Sequence, residues 1–109
     1  MKILITGNLG YVGPAVIKQL RASFPEAILI GFDMGYFSAC LLNPVVLPEC
    51  RANIQCLGDV RNFPAGILAG VDAVVHLAAI SNDPMGSKFE KITLDVNYRA
   101  TVALAEKAK

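Results

Sequence analysis

Charge is scarce in this sequence. Lys, Arg, Asp and Glu make up 17% of its 109 residues, and ten basic against nine acidic side chains leave a net charge of +1. No basic patch stands out from that balance, so the electrostatic footprint of a nucleic-acid binder is missing. Long apolar runs are missing too. Although 54% of the residues are hydrophobic, no run approaches the about 20 residues that a membrane span needs. Cysteine is limited to Cys40, Cys50 and Cys56, an odd count without C-x-x-C spacing. Reduced thiols in a cytoplasmic protein follow from that pattern. His76 is the single histidine, so no metal-ligand set is expected. Internal repeats and low-complexity tracts are absent as well. An apolar run begins within two residues of Met1, which leaves no room for a signal peptide.

What is present is concentrated in residues 2–13. Ile3, Leu4 and Ile5 run without alternation into Thr6 and then into Gly7, Gly10 and Gly13. A short continuous apolar run suits a strand buried on both faces, as in a parallel sheet. Gly7 lets the backbone leave that strand in a conformation a Cβ forbids. Gly10 lets a phosphate approach the main chain, and Gly13 lets the following helix pack close to the strand. The residues after Gly10 open that helix, whose unpaired N–H groups and positive dipole end attract a pyrophosphate. Pro14 is tolerated if the helix begins near Tyr11, because a first-turn N–H has no intrahelical partner to lose.

Val12, Val16, Ile17 and Leu20 then share one helical face, with Lys18, Gln19 and Arg21 on another. Ser23-Phe24-Pro25 ends the helix, since the residue before proline avoids the α region. Residues 27–32 form a second buried strand that stops at Asp33. From Gly7 to Asp33 is a little over 20 residues, the separation expected of an acidic residue that binds the adenosine ribose diol. A carboxylate there accepts from both hydroxyls and repels a 2′-phosphate. No arginine or lysine follows until Arg51, so NAD is favoured over NADP. Residues 34–52 read as a loop with one short helical turn around 36–42.

Residues 53–57 form a third strand that runs into Gly58-Asp59-Val60. Asp59 and the main-chain N–H of Val60 are placed to pair with the amino edge of adenine. A short helix over 64–69 leads to a fourth strand at 73–77, ending in Ala78-Ala79, whose small side chains leave space for a flat ring. His76 reads as a satisfied histidine inside the fold rather than a proton carrier. Ser81-Asn82-Asp83-Pro84 is turn chemistry. A long helix follows from within 84–90 to about Ala108, with Phe89, Ile92, Val96, Ala100 and Ala103 along one side. With right-handed crossovers this is an α/β doubly wound parallel sheet of the Rossmann type, strand order 3-2-1-4. It makes up the N-terminal part of such a domain over residues 1–109.

Thr6-Gly7-x-x-Gly10-x-x-Gly13, Asp33, Gly58-Asp59-Val60, His76-Leu77-Ala78-Ala79 and Asn97 stand in order and together resemble the extended short-chain dehydrogenase/reductases. Within them the match is to the NAD-dependent epimerase/dehydratase group, which acts mostly on nucleotide sugars. The resemblance implies NAD as cofactor, with Tyr11 and Val12 giving backbone N–H groups to the pyrophosphate. It also implies that Leu77, Ala78 and Ala79 line the path to the nicotinamide, and that Asn97 is the helix asparagine supporting the active-site hydrogen-bond network. For the complete enzyme the resemblance implies that a tyrosinate takes a sugar hydroxyl proton while hydride passes to the nicotinamide. The keto sugar so formed epimerises, loses water or is reduced.

One departure stands out. The family's Tyr-x-x-x-Lys is absent: Tyr11 is followed four residues on by Ala15, Tyr36 by Cys40 and Tyr98 by Val102. No catalytic residue is therefore assigned. The expectation is a cofactor-binding piece of a longer enzyme, silent by itself. Its unpaired fourth strand and uncovered helix face are expected to recruit a second copy as a homodimer. Two other readings stay open: a dinucleotide-sensing regulator without catalysis, and an NADPH-dependent reductase of a non-sugar carbonyl.

Overall fold

The computed structural model describes residues 1–36, 51–81 and 88–109. Strand β1, Lys2–Thr6, lies at the centre of a parallel sheet. It pairs on one side with β2, Ile28–Asp33, with Ile3 opposite Leu29 and Thr6 opposite Phe32. β2 in turn pairs with β3, Ile54–Leu57. On its other side β1 pairs with β4, Ala73–His76, with Thr6 opposite His76. The order is therefore β3-β2-β1-β4, as the crossover rule predicts.

Alternation along β1 divides the core into two layers. Ile3 and Ile5 face Ile17 of helix α1, Gly13–Ser23, together with Ala27 and Leu29. Leu4 faces the opposite side with Ile30, Phe32, Val60, Phe63, Ala100 and Leu104. Ile17 is fully buried, which stabilises the fold by about 1.5–3 kcal/mol relative to leaving it in water. Phe32 and Phe63 hold ring centroids 4.7 Å apart at 60°, a tilted arrangement that the ring quadrupoles favour.

Helix α1 starts at Gly13, two residues later than the sequence suggests, with Pro14 in its second position. Proline is still tolerated, because the first four helical N–H groups lack intrahelical acceptors. Arg21 departs from the outward face on which its spacing places it. Its guanidinium donates to Pro25 O at 2.9 Å, to Ala27 O at 2.7 Å and to Asn53 Oδ1 at 2.6 Å. These acceptors collect where α1 ends and β2 and β3 begin, and a planar five-donor head satisfies several at once.

The short helix expected over 64–69 is a 3₁₀ turn at Ala65–Leu68, and a second such turn spans Val60–Asn62. The C-terminal helix is less regular than its periodicity implies. It comprises α2, Glu90–Leu94, a π-helical turn, Asp95–Arg99, and α3, Ala100–Lys107. The Ala100 N–H reaches back five residues to Asp95 O. That wider turn rotates the segment before it relative to the segment after it. Val96, Ala100 and Leu104 pack on the sheet, whereas Phe89 and Ile92 stay more than 40% exposed. The single apolar side from Phe89 to Ala103 is thereby corrected. The helical turn expected around 36–42, the 82–84 turn, Cys40 and Cys50 lie outside the described residues, apart from Tyr36.

Candidate functional site

All four strands are parallel, so their C-terminal ends share one edge of the sheet. Thr6, Asp33, Leu57 and His76 end the strands there, and the loops that follow carry the candidate residues. In open α/β sheets this edge, at the point where strand order reverses, is where ligands bind.

Gly7 has φ +72°, and a Cβ on it would stand 2.6 Å from Ala78 N. Both the left-handed backbone and the neighbouring chain therefore require glycine. The Gly7 N–H donates to Phe32 O at 2.8 Å, and Gly7 O accepts from the Gly10 N–H at 3.1 Å, which closes the turn. At Gly10 a Cβ would meet only Gly7 O, at 3.3 Å. The space beyond that face of the loop is open. Gly13 is different: its Cβ would lie 2.1 Å from Asn8 O. The helix thus presses on the loop residue Asn8 rather than on β1 itself.

Tyr11 and Val12 are exposed at the mouth of the loop. Among the described residues the N–H groups of Tyr11, Val12 and Gly13 have no hydrogen-bond partner. Three free donors beside an open glycine face, at the positive end of an eleven-residue helix, fit a pyrophosphate.

Asp33 is tied to this loop. Its Oδ2 accepts from the Leu9 N–H at 3.1 Å and its Oδ1 from the Gly35 N–H at 2.7 Å. An ionised carboxylate offers about four lone-pair sites, so both oxygens retain capacity for ribose hydroxyls. Asp59 caps the Val60–Asn62 turn through the Arg61 N–H at 2.9 Å, and its Oδ2 takes the Arg61 Nε at 2.8 Å and the Nη2. The hydrogen bond from the Arg61 side chain holds the Asp59 carboxyl below its usual pKa, against the opposing pull of burial. The Val60 side chain is in the core, while its N–H has no partner among the described residues. An acceptor beside a free donor matches the adenine amino edge.

Leu77 turns its side chain into the layer beneath α1, so only its backbone is available to line a ring. Ala78 lies against Gly7, and Ala79 is exposed. Asn97, on the π-helical turn, grips the loop after β4. Its Nδ2 donates to Ile80 O and its Oδ1 accepts from the Ile80 N–H, both at 2.8 Å. His76 is satisfied on both ring nitrogens, by the hydroxyls of Thr6 at 2.6 Å and Thr101 at 2.9 Å. Burial pushes its pKa down.

Sequence reasoning missed Asn8 and Gln55. Asn8 is fully buried beneath the glycine loop, and its Nδ2 donates to Gln55 Oε1 on β3 at 2.6 Å. The two amides meet above Gly31, where a Cβ would stand 2.4 Å from Asn8 Nδ2. A glycine inside an apolar strand was the available signal, since it marks close approach of another group.

A parallel sheet of this order, helices on both faces and an open glycine turn after the central strand define a dinucleotide-binding α/β protein. Residues 3–109 match the model of the NAD dependent epimerase/dehydratase family, and the chain belongs to that family. NAD is the cofactor that membership implies. Among solved structures, the chain is similar to L-threonine dehydrogenase from Clostridium difficile, at 27% identity and TM-score 0.74 over 98% of this chain and 32% of that one. It is also similar to UDP-glucuronic acid 4-epimerase from Bacillus cereus in complex with UDP-4-deoxy-4-fluoro-glucuronic acid and NAD. That match has 25% identity and TM-score 0.77 over 98% of this chain and 36% of that one. Pal from Bacillus thuringiensis shares the fold, at 23% identity and TM-score 0.79 over 98% and 35% of the two chains. The chain spans about a third of the length of these proteins.

Proposed function

We propose that this chain is the NAD-binding N-terminal part of a cytoplasmic nucleotide-sugar epimerase or dehydratase. One observation carries the reading: a strand-end carboxylate, Asp33, hydrogen-bonded to the glycine loop beside unpartnered N–H groups. In this reading Gly7, Gly10 and Gly13 shape the loop, and Tyr11 and Val12 bind the pyrophosphate through their N–H groups. Asp33 accepts from the ribose diol, and Asp59 with Val60 brackets the adenine. Leu77, Ala78 and Ala79 border the nicotinamide, with Asn97 fixing the segment behind them. NAD, when bound, supplies reversible hydride acceptance. The 109 residues contain no Tyr-x-x-x-Lys, so this chain binds cofactor without turnover. The solved epimerase complex with a UDP-sugar supports the substrate class. Likeness to L-threonine dehydrogenase favours a second reading, a family member acting on a non-sugar substrate.

Titration calorimetry tests the site. NAD should bind more tightly than NADP, because a 2′-phosphate would face the Asp33 carboxylate. Asp33→Ala should weaken NAD binding by about 1–3 kcal/mol, the range for losing hydrogen bonds to a charged group. Equal or reversed preference overturns the assignment of Asp33.

The homodimer belongs to the same proposal. Leu94, Tyr98 and Val102 recur every four residues along the C-terminal helix and are 42–63% exposed. A groove of about 310 Å³ lies beside them, between Glu90, Thr93, Leu94, Asn97 and Tyr98. β4 is an edge strand among the described residues. Both features favour a second copy. Light scattering should give a mass at least twice 11.6 kDa, and a monomer at high concentration would exclude it.

A further inference from the structure

Three hydroxyl and imidazole groups between the sheet and the C-terminal helix form a chain whose proton directions can be worked out. The Thr101 Oγ1 lies 2.9 Å from Asn97 O. A carbonyl can only accept, so the single Thr101 hydroxyl proton points there. Thr101 must then receive from His76, which places a proton on Nε2. A neutral imidazole carries one proton, so Nδ1 is bare and accepts from the Thr6 hydroxyl at 2.6 Å. Thr6 Oγ1 in turn accepts from the Ala78 N–H at 3.5 Å. Every donor and acceptor in the chain has one consistent role.

The two ends of this chain lie at the site. Thr6 immediately precedes Gly7, Ala78 lies against Gly7, and Asn97 holds both backbone groups of Ile80. We propose that Thr6, His76 and Thr101 form a positioning relay, with His76 neutral and protonated on Nε2. The relay locks the exit of β4, residues 77–80, to the glycine loop and to the π-helical turn. Its effect on affinity rests on the NAD-binding reading above, whereas the tautomer and the loop ordering do not.

Protonating His76 on Nδ1 would put a second donor against the Thr6 hydroxyl and force that hydroxyl to turn away. Among the described residues no charged side chain is hydrogen-bonded to His76, whose partners are the Thr6 and Thr101 hydroxyls. Asp33 accepts from Leu9 and Gly35, Asp72 from the Lys2 N–H, Asp95 from Arg99, and Lys107 donates to Phe63 O. Burial alone opposes the imidazolium. Because the folded pKa is lowered, stability from this group is complete above the unfolded value of about 6.5 and declines as pH falls through the lower folded value.

The single histidine makes the test direct. Long-range ¹H–¹⁵N correlation on the 109-residue chain at pH 7.5 should show Nε2 protonated and Nδ1 bare. An Nδ1–H form, or a rapidly exchanging mixture, overturns the relay. Thr101→Val keeps the shape and removes the acceptor. It should mix the tautomers, speed amide exchange at Ala78 and Ile80 about tenfold, and weaken NAD binding about tenfold, as one net hydrogen bond predicts. Thr101→Ser should restore all three. Unchanged tautomer and exchange in Thr101→Val would refute the proposal. Should Thr101→Val fail to fold, the wild-type tautomer still decides. If the wild type shows the expected tautomer but binds no NAD, the NAD reading falls and the exchange data alone judge the relay.

Discussion

Gly10→Val is expected to abolish NAD binding while the chain keeps its fold. A Cβ at this position meets only Gly7 O, at 3.3 Å, and otherwise enters open space. Unlike Gly7, it is not among the glycines with positive φ, so valine meets no left-handed strain. Stability should therefore stay within about 1 kcal/mol of the wild type. In the proposed site that open space is where the pyrophosphate reaches the Tyr11 and Val12 N–H groups. A branched side chain there blocks contact by volume, independently of charge. Calorimetry on the variant, beside a thermal melt, separates the two effects. Unchanged affinity would mean that the glycine loop is only a turn.

The parts of the fold that were legible in the sequence depend on short-range pattern. Ile3–Ile5, the glycine spacing and Asp33 all lie within one strand–helix–strand unit, where periodicity and turn chemistry speak directly. The order of the four strands then follows from crossover handedness rather than from any contact. What escaped is what depends on groups far apart in sequence. Asn8 and Gln55 are 47 residues apart, and their amides meet only because β1, β2 and β3 are neighbours. Arg21 turns inward not only for Pro25 and Ala27 close by in sequence but for Asn53, 32 residues away, which reaches it only once α1 folds back along the sheet. The π-helical turn rests on one displaced backbone hydrogen bond, which no side-chain period encodes. Asp59 is an exception, since Arg61 captures it from two residues away. The sequence showed both residues, but an isolated strand-end carboxylate gave no reason to pair them.

Gly13→Ala, unlike Gly10→Val, is expected to cost stability. On intrinsic grounds the change should help, because alanine is favoured over glycine within a helix by about 1 kcal/mol. The close contact reverses that sign. An alanine Cβ would stand 2.1 Å from Asn8 O and 2.4 Å from Asn8 C, both of them backbone atoms. Asn8 has no room to retreat. It is fully buried, its amide is held by Gln55, and Gly31 lies directly beneath it. Relief requires α1 to lift from the loop, which opens the layer around Ile17. The expected loss is about 3 kcal/mol, the upper end of the usual overpacking range, and a fall in Tm of more than about 10 °C. The Tyr11 and Val12 N–H groups move with the helix, so NAD affinity should fall along with stability. Gly10→Ala, in the same loop with the same added methyl, should melt with the wild type. If Gly13→Ala also melts there or higher, helix propensity outweighs contact, and α1 does not press on Asn8 as closely as the structure shows.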